Sequence, residues 1–507
     1  MLVTSNLNNH SQANNTVDLN TYRIQEEVLS LVPASVATKY NVIPLAISDN
    51  ALLVAMANIN NVVALQEMAS VSKMRIEPVA ADPEQIRQAI DFNYKAYGEV
   101  EKQFSDISVV IPKRPTISAD IADAPAVRAL DLIISEAVKY RASDIHLEPR
   151  ADKLRIRYRI DGMLHDILSL PISAHESLLS RIKVMASMNI ADHQPQDGQL
   201  SVRVRDQEID VRVATINTIY GEMGSLRILD KSFAARSLTE LGFSARTLRD
   251  YQQALKSPLG MILICGPTGS GKTTTLYASI NGIDRKGREV ITIEDPVEYR
   301  FEDINQIQVN PRAGITFASG MRSILRHDPD VILVGEIRDP DTAIMATQAA
   351  LIGQLVLSSL HANDSVGSIF RLLDLGISPY LIAATLLCVV SQRMTRRVCP
   401  YCARLTKAPP EAQYAYAKEM GEEKTEFLYG QGCNACANTG YLGRVAISEI
   451  MAMNQEIRSA IVAGASLDQL RDITRKSGML PMWRDGMLKV KDGITTPSEV
   501  IRNILVG

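Results

Sequence analysis

Apolar and polar residues follow a repeating pattern in the C-terminal half of the chain. From about residue 260 onward, short apolar runs with the length of buried strands alternate with longer segments of helical periodicity. Four runs stand out, namely MILICG at 261–266, EVITIED at 289–295, VILVGE at 331–336 and QLVLSSL at 354–360. This alternation is typical of a mainly parallel sheet with helices on its faces. We therefore expect an α/β domain over residues 236–507.

The N-terminal half has a different pattern, which predicts two small α+β domains. In residues 21–97, a helical segment broken by Pro33 precedes two strands around a turn at Ser48–Asn50, and another helix follows. Residues 119–235 combine an amphipathic helix with antiparallel hairpins, in which charged residues alternate with apolar ones. We expect the first domain to dock a partner.

The remaining segments are polar or too short to cross a membrane. Residues 1–20 are rich in Asn and Ser and are expected to form a disordered tail, and residues 98–118, with two prolines and no steady period, a linker. The longest apolar runs, such as YLIAATLLCVV at 380–390, are far shorter than the ~20 residues of a membrane span. The N-terminus also lacks the plan of a signal peptide. These features predict a cytoplasmic protein.

Length and charge narrow the class of function. A chain of 507 residues exceeds the size of a single core and favours several domains. With 54 basic and 57 acidic residues the net charge is −3, so the chain lacks the basic field of a dedicated nucleic-acid binder. Direct binding of nucleic acid is therefore disfavoured.

The strongest local motif is GPTGSGKT at 266–273, which fits G-x-x-x-x-G-K-[ST] between an apolar strand and a helix. Its glycines let successive backbone N–H groups point at one phosphate, and the helix N-terminus adds its dipole. Lys272 is expected to reach the β- and γ-phosphates of ATP, and the Thr273 hydroxyl to hold Mg²⁺. The alternative is a glycine-rich turn without a ligand. The expected nucleotide-binding residues are Gly266, Pro267, Thr268, Gly269, Ser270, Gly271, Lys272, Thr273 and Thr274.

Two acidic motifs follow other strands of the same domain. Glu336 ends the run VILVGE, where a carboxylate near the γ-phosphate can polarise the attacking water. Glu294, Asp295 and Glu298 lie together in ITIEDPVEYRF, and such a group requires Mg²⁺ or an arginine among its charges. The alternatives are a strand that simply meets solvent and a solvated acidic turn.

Four of the six cysteines form two C-x-x-C units, CPYC and CNAC. Each unit can supply half of a tetrahedral Zn²⁺ site, and four thiolates make a closed, structural site rather than a catalytic one. The 30 residues between the units predict a lobe, over residues 397–440, that is larger than usual. The alternatives are redox-active cysteine pairs and free thiols that bind no metal. The expected zinc ligands are Cys399, Cys402, Cys433 and Cys436.

Taken in order, these motifs make the chain resemble the secretion ATPases of type II secretion and type IV pilus assembly, from about residue 30 to the C-terminus. The most specific matches beside the P-loop are RASDIHLEP, RYRIDG, QPQDGQ, ITIEDPVEY, ITFASGMRSILRHDPDVILVGEIRD, QRMTRRVCPYC and GCNACANTGYLGR. The resemblance implies a RecA-type P-loop motor in a homo-hexamer, with a preceding domain that closes over the nucleotide. It also implies ATP hydrolysis that moves an inner-membrane platform protein and other assembly components, with the motor peripheral to the membrane.

The resemblance also assigns roles to residues. It places Glu294, Asp295 and Glu298 near metal and phosphate, makes Glu336 the catalytic glutamate, and identifies LSSLHAND as the end of a box that contains His361. From spacing alone, Arg212 and Arg227 read as solvated strand residues. The resemblance instead aligns both with arginines that reach the nucleotide.

Several features indicate to which branch of the family the chain belongs. Retraction ATPases typically lack both the extra N-terminal domain and the four-cysteine lobe, so assembly or secretion is favoured over retraction. Residues 1–100 contain no Arg-Leu-Gly start of the cyclic-di-GMP motif that some relatives carry, and we expect no binding of that dinucleotide at micromolar concentration.

The chain also has Gln354 where the family usually has the first histidine of the His box. Glutamine can form hydrogen bonds but carries no charge, so a proton-linked role is doubtful there.

Two rival functions stay open at the level of sequence. A RecA-like DNA-handling motor would also use a P-loop and a zinc lobe, although near-neutral charge and few aromatic residues count against it. A nucleotide-gated scaffold would bind ATP without turnover, although Glu336 and the acidic group favour chemistry. At the strand end after residue 360, we expect His361 to face the nucleotide and Asn363 and Asp364 to cap the next helix.

Overall fold

The computed structural model describes residues 16–19, 22, 24, 26–48, 50–94, 125–204, 207–229 and 236–505. The tail expected at 1–20 lies largely outside these ranges, and the linker expected at 98–118 lies entirely outside them. The chain divides into two compact units. The first comprises Met1–Ile228, Val398–Arg404 and Tyr429–Leu442, and the second comprises Leu229–Arg397, Leu405–Leu428 and Gly443–Gly507.

A four-stranded sheet with the order β1-β4-β3-β2 organises the beginning of the first unit. The predicted break at Pro33 is confirmed, because this residue is the N-cap of α2 and separates it from α1. Strands β2 and β3 form the predicted antiparallel hairpin, and β3 pairs in parallel with β4. The elements are β1 (Thr16–Val17), α1 (Glu26–Leu29), α2 (Ala34–Tyr40), β2 (Val42–Ser48), β3 (Ala51–Met56), α3 (Val62–Ser72), β4 (Arg75–Ala81) and α4 (Pro83–Asn93).

The rest of the first unit contains a six-stranded sheet with the order β7-β6-β5-β10-β9-β8. Both predicted hairpins are confirmed, since β5 pairs antiparallel with β6 and β8 with β9. One face packs against two helices in an apolar core. The elements are α5 (Pro125–Lys139), β5 (Ala142–Pro149), β6 (Lys153–Ile160), β7 (Met163–Pro171), α6 (His175–Met185), β8 (Gln196–Val204), β9 (Gln207–Thr218) and β10 (Gly221–Leu229).

The charged residues of the RASDIHLEP and RYRIDG motifs lie in this sheet and pair with one another. Glu148 on β5 accepts hydrogen bonds from Arg155 (2.6 Å) and Arg157 on β6. Burial alone would raise the pKa of Glu148, but these two guanidinium groups bring it below its ordinary value. The alternating pattern therefore builds a charged cross-strand network over an apolar face.

The second unit is built on a seven-stranded sheet with the order β13-β12-β14-β15-β11-β16-β19. The predicted parallel arrangement is confirmed. The pairs β12–β14, β14–β15 and β15–β11 are all parallel. All residues of β11, β12 and β15 are buried, as expected for strands covered on both faces. The strands are β11 (Gly260–Cys265), β12 (Val290–Glu294), β13 (Asn305–Gln308), β14 (Val331–Ile337), β15 (Leu355–Leu360), β16 (Leu386–Val398) and β19 (Tyr441–Ala452).

Helices connect these strands and cover the sheet. A separate two-stranded sheet pairs β17 (Ala403–Lys407) with β18 (Glu426–Gly430). The apolar run at 380–390, which is too short for a membrane span, is divided between α12 and the beginning of β16. The helices are α7 (Ala245–Leu255), α8 (Lys272–Asn281), α9 (Phe317–Ile324), α10 (Pro340–Ile352), α11 (Ser365–Asp374), α12 (Pro379–Thr385), α13 (Pro410–Met420), α14 (Gln455–Val462), α15 (Leu467–Lys476), α16 (Met482–Lys491) and α17 (Pro497–Leu505).

Candidate functional site

The P-loop connects the buried strand β11 to α8 in the way the motif predicts. Gly266, Gly269 and Gly271 have φ values of 143°, 78° and 89°, a region that favours glycine. A Cβ on Gly266 would also lie 2.4 Å from the carbonyl oxygen of Gln392. The glycines are thus required by the backbone path and by close packing, so that the loop can curl before the helix begins.

Lys272 is the first residue of α8, and its side chain folds back over the loop. Its Nζ donates to the carbonyl oxygens of Gly266 (2.8 Å) and Pro267 (3.1 Å). Burial lowers the pKa of Lys272, while the nearby charge of Glu336 opposes that shift. Thr273, next along the helix, is exposed. An ammonium and a hydroxyl therefore lie at the helix N-terminus, where a phosphate and its Mg²⁺ are held in this motif.

A cluster of charged side chains lies beyond the ends of three neighbouring parallel strands. Arg338 forms ion pairs with Glu336 and, at 3.8 Å, with Asp295. His361 Nε2 lies 3.4 Å from the Glu336 carboxylate. The strands β12, β14 and β15 are adjacent, so their carboxyl ends bring these groups together. The acidic motif was expected to need a cation or an arginine, and Arg338 is that partner for Asp295 and Glu336.

Glu294 lies in a buried, polar environment. It is 3% exposed, and its carboxylate accepts hydrogen bonds from Thr292 (2.6 Å), Gln306 (3.2 Å) and the Tyr277 hydroxyl. The backbone N–H of Glu298 donates to the same tyrosine hydroxyl at 3.2 Å. Protein donors thus engage both Glu294 oxygens, and a role of this residue near metal and phosphate stays a prediction. Its contacts join β12 to α8.

The polar residues that follow β15 have two different roles. His361 is 53% exposed and points to Glu336. Asp364 is the N-cap of α11, accepts from the Gly367 N–H at 2.5 Å and pairs with Arg471 at 2.6 Å. The predicted capping role is therefore confirmed for Asp364, whereas the cap does not involve the Asn363 side chain.

An open pocket of about 630 Å³ adjoins the P-loop at the carboxyl ends of the strands β11 and β15. It is lined by Gly266 and Thr268 of the loop, by His361, and by Arg371 and Arg471 from α11 and α15. A pocket of this volume can hold a nucleotide-sized ligand. Its lining carries both signs of charge, because Asp364 and Asp374 lie beside the two arginines and Asp364 pairs with Arg471.

The four predicted zinc ligands come together in the first unit. All four cysteines are buried, and their sulfur atoms lie within 4.8 Å of one another. The Cys399–Cys433 and Cys433–Cys436 sulfur distances are 3.7 Å, and the Cys402–Cys436 distance is 3.9 Å. Sulfurs bound tetrahedrally to Zn²⁺ at ~2.3 Å would stand about 3.8 Å apart. The residues present therefore fit zinc.

Backbone groups support a thiolate in this cluster. The N–H groups of Cys433 and Gly440 each lie 3.3 Å from the Cys436 sulfur. The hydrogen bond from the Cys433 thiol and these N–H groups lower the pKa of Cys436, against the effect of burial, whereas the pKa values of Cys402 and Cys433 are raised. Thiolates are the form that binds metal.

Comparison with known proteins gives the family. Residues 120–502 match the model for type II/IV secretion system proteins, and residues 14–98 match the MshEN domain. The chain belongs to the type II/IV secretion system protein family. This confirms the family that the motifs indicated, as well as a RecA-like motor preceded by small α+β domains.

Relatives of this chain include type IV pilus assembly ATPases and type II secretion system proteins. The type IV pilus assembly ATPase PilB of Myxococcus xanthus is 38% identical over 499 residues, covering 96% of this chain and 88% of that protein. Type II secretion system protein E of Xanthomonas campestris pv. campestris is 43% identical over 383 residues, covering 75% and 68%. The solved structure of the pilus retraction motor PilT with bound ADP has a TM-score of 0.50 and 25% identity, covering 74% of this chain and 96% of that one.

The resemblance to the secretion ATPases connects two arginines with the nucleotide. Both arginines lie on the six-stranded sheet. Arg227, on β10, pairs with Asp144 on β5 at 3.0 Å. Arg212, on β9, lies opposite Gln199 on β8. Both belong to the first unit, whereas the P-loop belongs to the second. Their contact with nucleotide stays a prediction.

Gln354, the departure from the secretion family's usual histidine, lies at the amino end of β15. Its carbonyl oxygen accepts from the N–H of Gly260 at 3.0 Å, and its side-chain Oε1 is buried without a hydrogen-bond partner among the described residues. His361 follows the other end of β15. With the six residues of β15 between them, the two positions are seven steps apart, which at roughly 3.3 Å per step is about 23 Å. Gln354 is thus remote from the P-loop.

No helix among the described residues combines the length and apolar character needed to cross a membrane.

Zinc binding can be tested by changing one ligand. The purified chain should contain about one equivalent of zinc, and Cys433→Ser should reduce this below half and expose residues 398–443 to protease, because a structural zinc site contributes folding free energy. Elemental analysis and limited proteolysis measure the two effects. Cys388→Ala is the control, since this cysteine is buried in β16 outside the cluster and its loss should leave the zinc content unchanged. Less than half an equivalent in the unmodified chain would rule out the site.

Proposed function

We propose that this protein hydrolyses ATP at the P-loop edge of the seven-stranded sheet and uses the energy to drive type IV pilus assembly or type II protein secretion. Membership of the secretion ATPase family supports the reaction. The observation that carries the assignment of the site is the convergence of Lys272, Glu336, Arg338 and His361 beyond adjacent parallel strands. Within this proposal, each group has a distinct task.

The P-loop would bind the phosphates of ATP. Backbone N–H groups of the loop and the N-terminus of α8 favour negative charge, and Lys272 would exchange its two carbonyl partners for phosphate oxygens. Thr273 and Asp295 would hold Mg²⁺, which neutralises charge on the β- and γ-phosphates when bound.

Glu336 would act on the water that attacks the γ-phosphate. It is largely buried beside Arg338, which restricts its carboxylate to a narrow range of positions. A carboxylate held in this way can orient the water and accept its proton. His361, with a ring nitrogen 3.4 Å from Glu336 and half its surface exposed, is placed to donate to a γ-phosphate oxygen. Glu294 and Glu298 would position this edge through Tyr277.

The working assembly is proposed from the family resemblance. We propose a homo-hexamer at the cytoplasmic face of the inner membrane, in which Arg212 and Arg227 reach a nucleotide. An inner-membrane platform protein and other assembly components would receive the motion, and the N-terminal domain would dock one of them. The N-terminal domain and the four-cysteine cluster support assembly or secretion over retraction.

Stimulation of turnover discriminates this function from its rivals. Steady-state ATPase assays on the oligomer should show slow Mg²⁺-dependent hydrolysis that increases several-fold with the cytoplasmic part of the platform protein and not with DNA. Many-fold stimulation by DNA alone would instead establish a DNA-handling motor. Absence of turnover in a nucleotide-binding hexamer would establish a scaffold.

A further inference from the structure

Gln392 lies behind the P-loop, on the strand β16 that pairs with β11 in register Cys265 with Ser391. Its side chain is 1% exposed and both ends of its amide are engaged. Nε2 donates to the Ser270 carbonyl oxygen at 2.8 Å, and Oε1 accepts from the Thr275 hydroxyl at 2.9 Å. One buried amide therefore joins the loop to the first turns of α8.

The orientation of this amide is fixed by its two partners. The Ser270 carbonyl can only accept a hydrogen bond, so the NH₂ group of Gln392 must face it. The Thr275 hydroxyl can donate, and it meets the amide oxygen. The two contacts agree with each other. A rotated amide would set its oxygen against the Ser270 carbonyl oxygen and lose that hydrogen bond, although the Thr275 hydroxyl could still accept from the NH₂ group.

The Ser270 contact also orients the next N–H group of the loop. In a planar trans peptide, the Ser270 carbonyl and the Gly271 N–H point in opposite directions. Holding the carbonyl toward Gln392 therefore turns the Gly271 N–H away from β16. In a P-loop, N–H groups with a shared direction form the phosphate cradle.

Close packing keeps this arrangement in place. A Cβ at Gly266 would lie 2.4 Å from the backbone oxygen of Gln392, and one at Gly271 would lie 3.1 Å from its Nε2. The loop thus rests against Gln392 at both ends. Small shifts of this side chain would move the loop itself.

We propose that Gln392 is a positioning residue that sets the direction of the Gly271 N–H and thereby the affinity of the loop for the β-phosphate of ATP and ADP. The inference rests on the proposed function of residues 266–273 as the nucleotide site. Gln392 itself does not touch the phosphate and acts through the Ser270 peptide.

The test is Gln392→Leu, which keeps the approximate volume and removes both hydrogen bonds. Leaving the buried Ser270 carbonyl without its donor should raise the Kd for ADP and the KM for ATP about tenfold, with little change in kcat. The Kd for AMP, which lacks the β-phosphate, should stay unchanged. Fluorescence titration and steady-state kinetics on the full chain give these values.

Thr275→Val provides a milder change, which also serves if Gln392→Leu does not fold. It releases only the Oε1 end of the amide and should weaken ADP binding by roughly threefold. Thr347→Val is the matched control, because Thr347 is equally buried on α10 and bonds only within its helix, to the Ala343 carbonyl. It should leave both Kd values unchanged.

The outcomes separate this proposal from the function on which it depends. Equal loss of AMP and ADP affinity, or wild-type ADP affinity in Gln392→Leu, would overturn the role of Gln392. If Lys272→Ala abolishes ADP binding in the same assay while Gln392→Leu has no effect, the P-loop assignment stands and only the positioning role fails. If neither change affects ADP binding, both proposals fail.

Discussion

We expect Glu336→Gln to hydrolyse ATP roughly 10²–10³-fold more slowly than the unmodified chain, because an amide cannot accept the proton of the attacking water. The change retains the size of the side chain and an oxygen that can accept from Arg338. Affinity for ATP should therefore change little, so that the effect falls on kcat. Phosphate release under saturating ATP measures turnover, and equilibrium titration measures binding.

Glu302→Gln is the matched control for this change. Glu302 is an exposed carboxylate in the same unit, outside the charged cluster, and its conversion to an amide should leave kcat unchanged. Unaltered turnover in Glu336→Gln would remove Glu336 from the chemical step. His361 or another group would then have to position the water.

Lys272→Ala should abolish detectable ATP binding, with an increase in Kd of at least about 100-fold. The ammonium is partly buried at the phosphate end of the loop, where removal of a charge-assisted hydrogen bond costs most and where the loss extends to both β- and γ-phosphates. Turnover at cellular ATP concentrations should fall with it. Binding of a fluorescent ATP analogue to the folded variant measures the effect.

Lys286→Ala controls for loss of a positive charge in the same unit. Lys286 is exposed beyond the end of α8, and its replacement should leave the Kd unchanged. Near wild-type ATP binding in Lys272→Ala would exclude the P-loop as the phosphate site. A loss of binding accompanied by loss of secondary structure in circular dichroism would instead point to a role of Lys272 in folding.

Much of the motor domain follows from local patterns. The strands β11, β12, β14 and β15 are short, apolar and separated by helical segments, and each lies where the sequence places it. The glycine positions of the P-loop follow from backbone geometry that few residues other than glycine tolerate. The cysteine pairs were equally informative, since the two C-x-x-C units predicted a four-cysteine site, and the structure brings their four sulfur atoms within 4.8 Å of one another.

Other parts of the site depend on contacts between distant segments. The Gln392 amide meets Ser270 across 122 positions of sequence, and nothing in QRMTRR marks it as a neighbour of the P-loop. Glu294 was read from its motif as a residue at the phosphate, but Tyr277 and Gln306 engage its carboxylate in the interior. Arg338 is present in GEIRD, and the signal for it was the need for a positive charge beside the acidic group.

Gln354 offers a natural comparison between members of the secretion family. Because about 23 Å of strand separates this position from His361 within one chain, exchanging its histidine for glutamine alters no group beside the P-loop of the same chain. A histidine at the amino end of β15 would lie too far from that P-loop to exchange a proton with the ATP bound there. Within one chain, the residue at position 354 therefore acts through contacts at the opposite edge of the sheet.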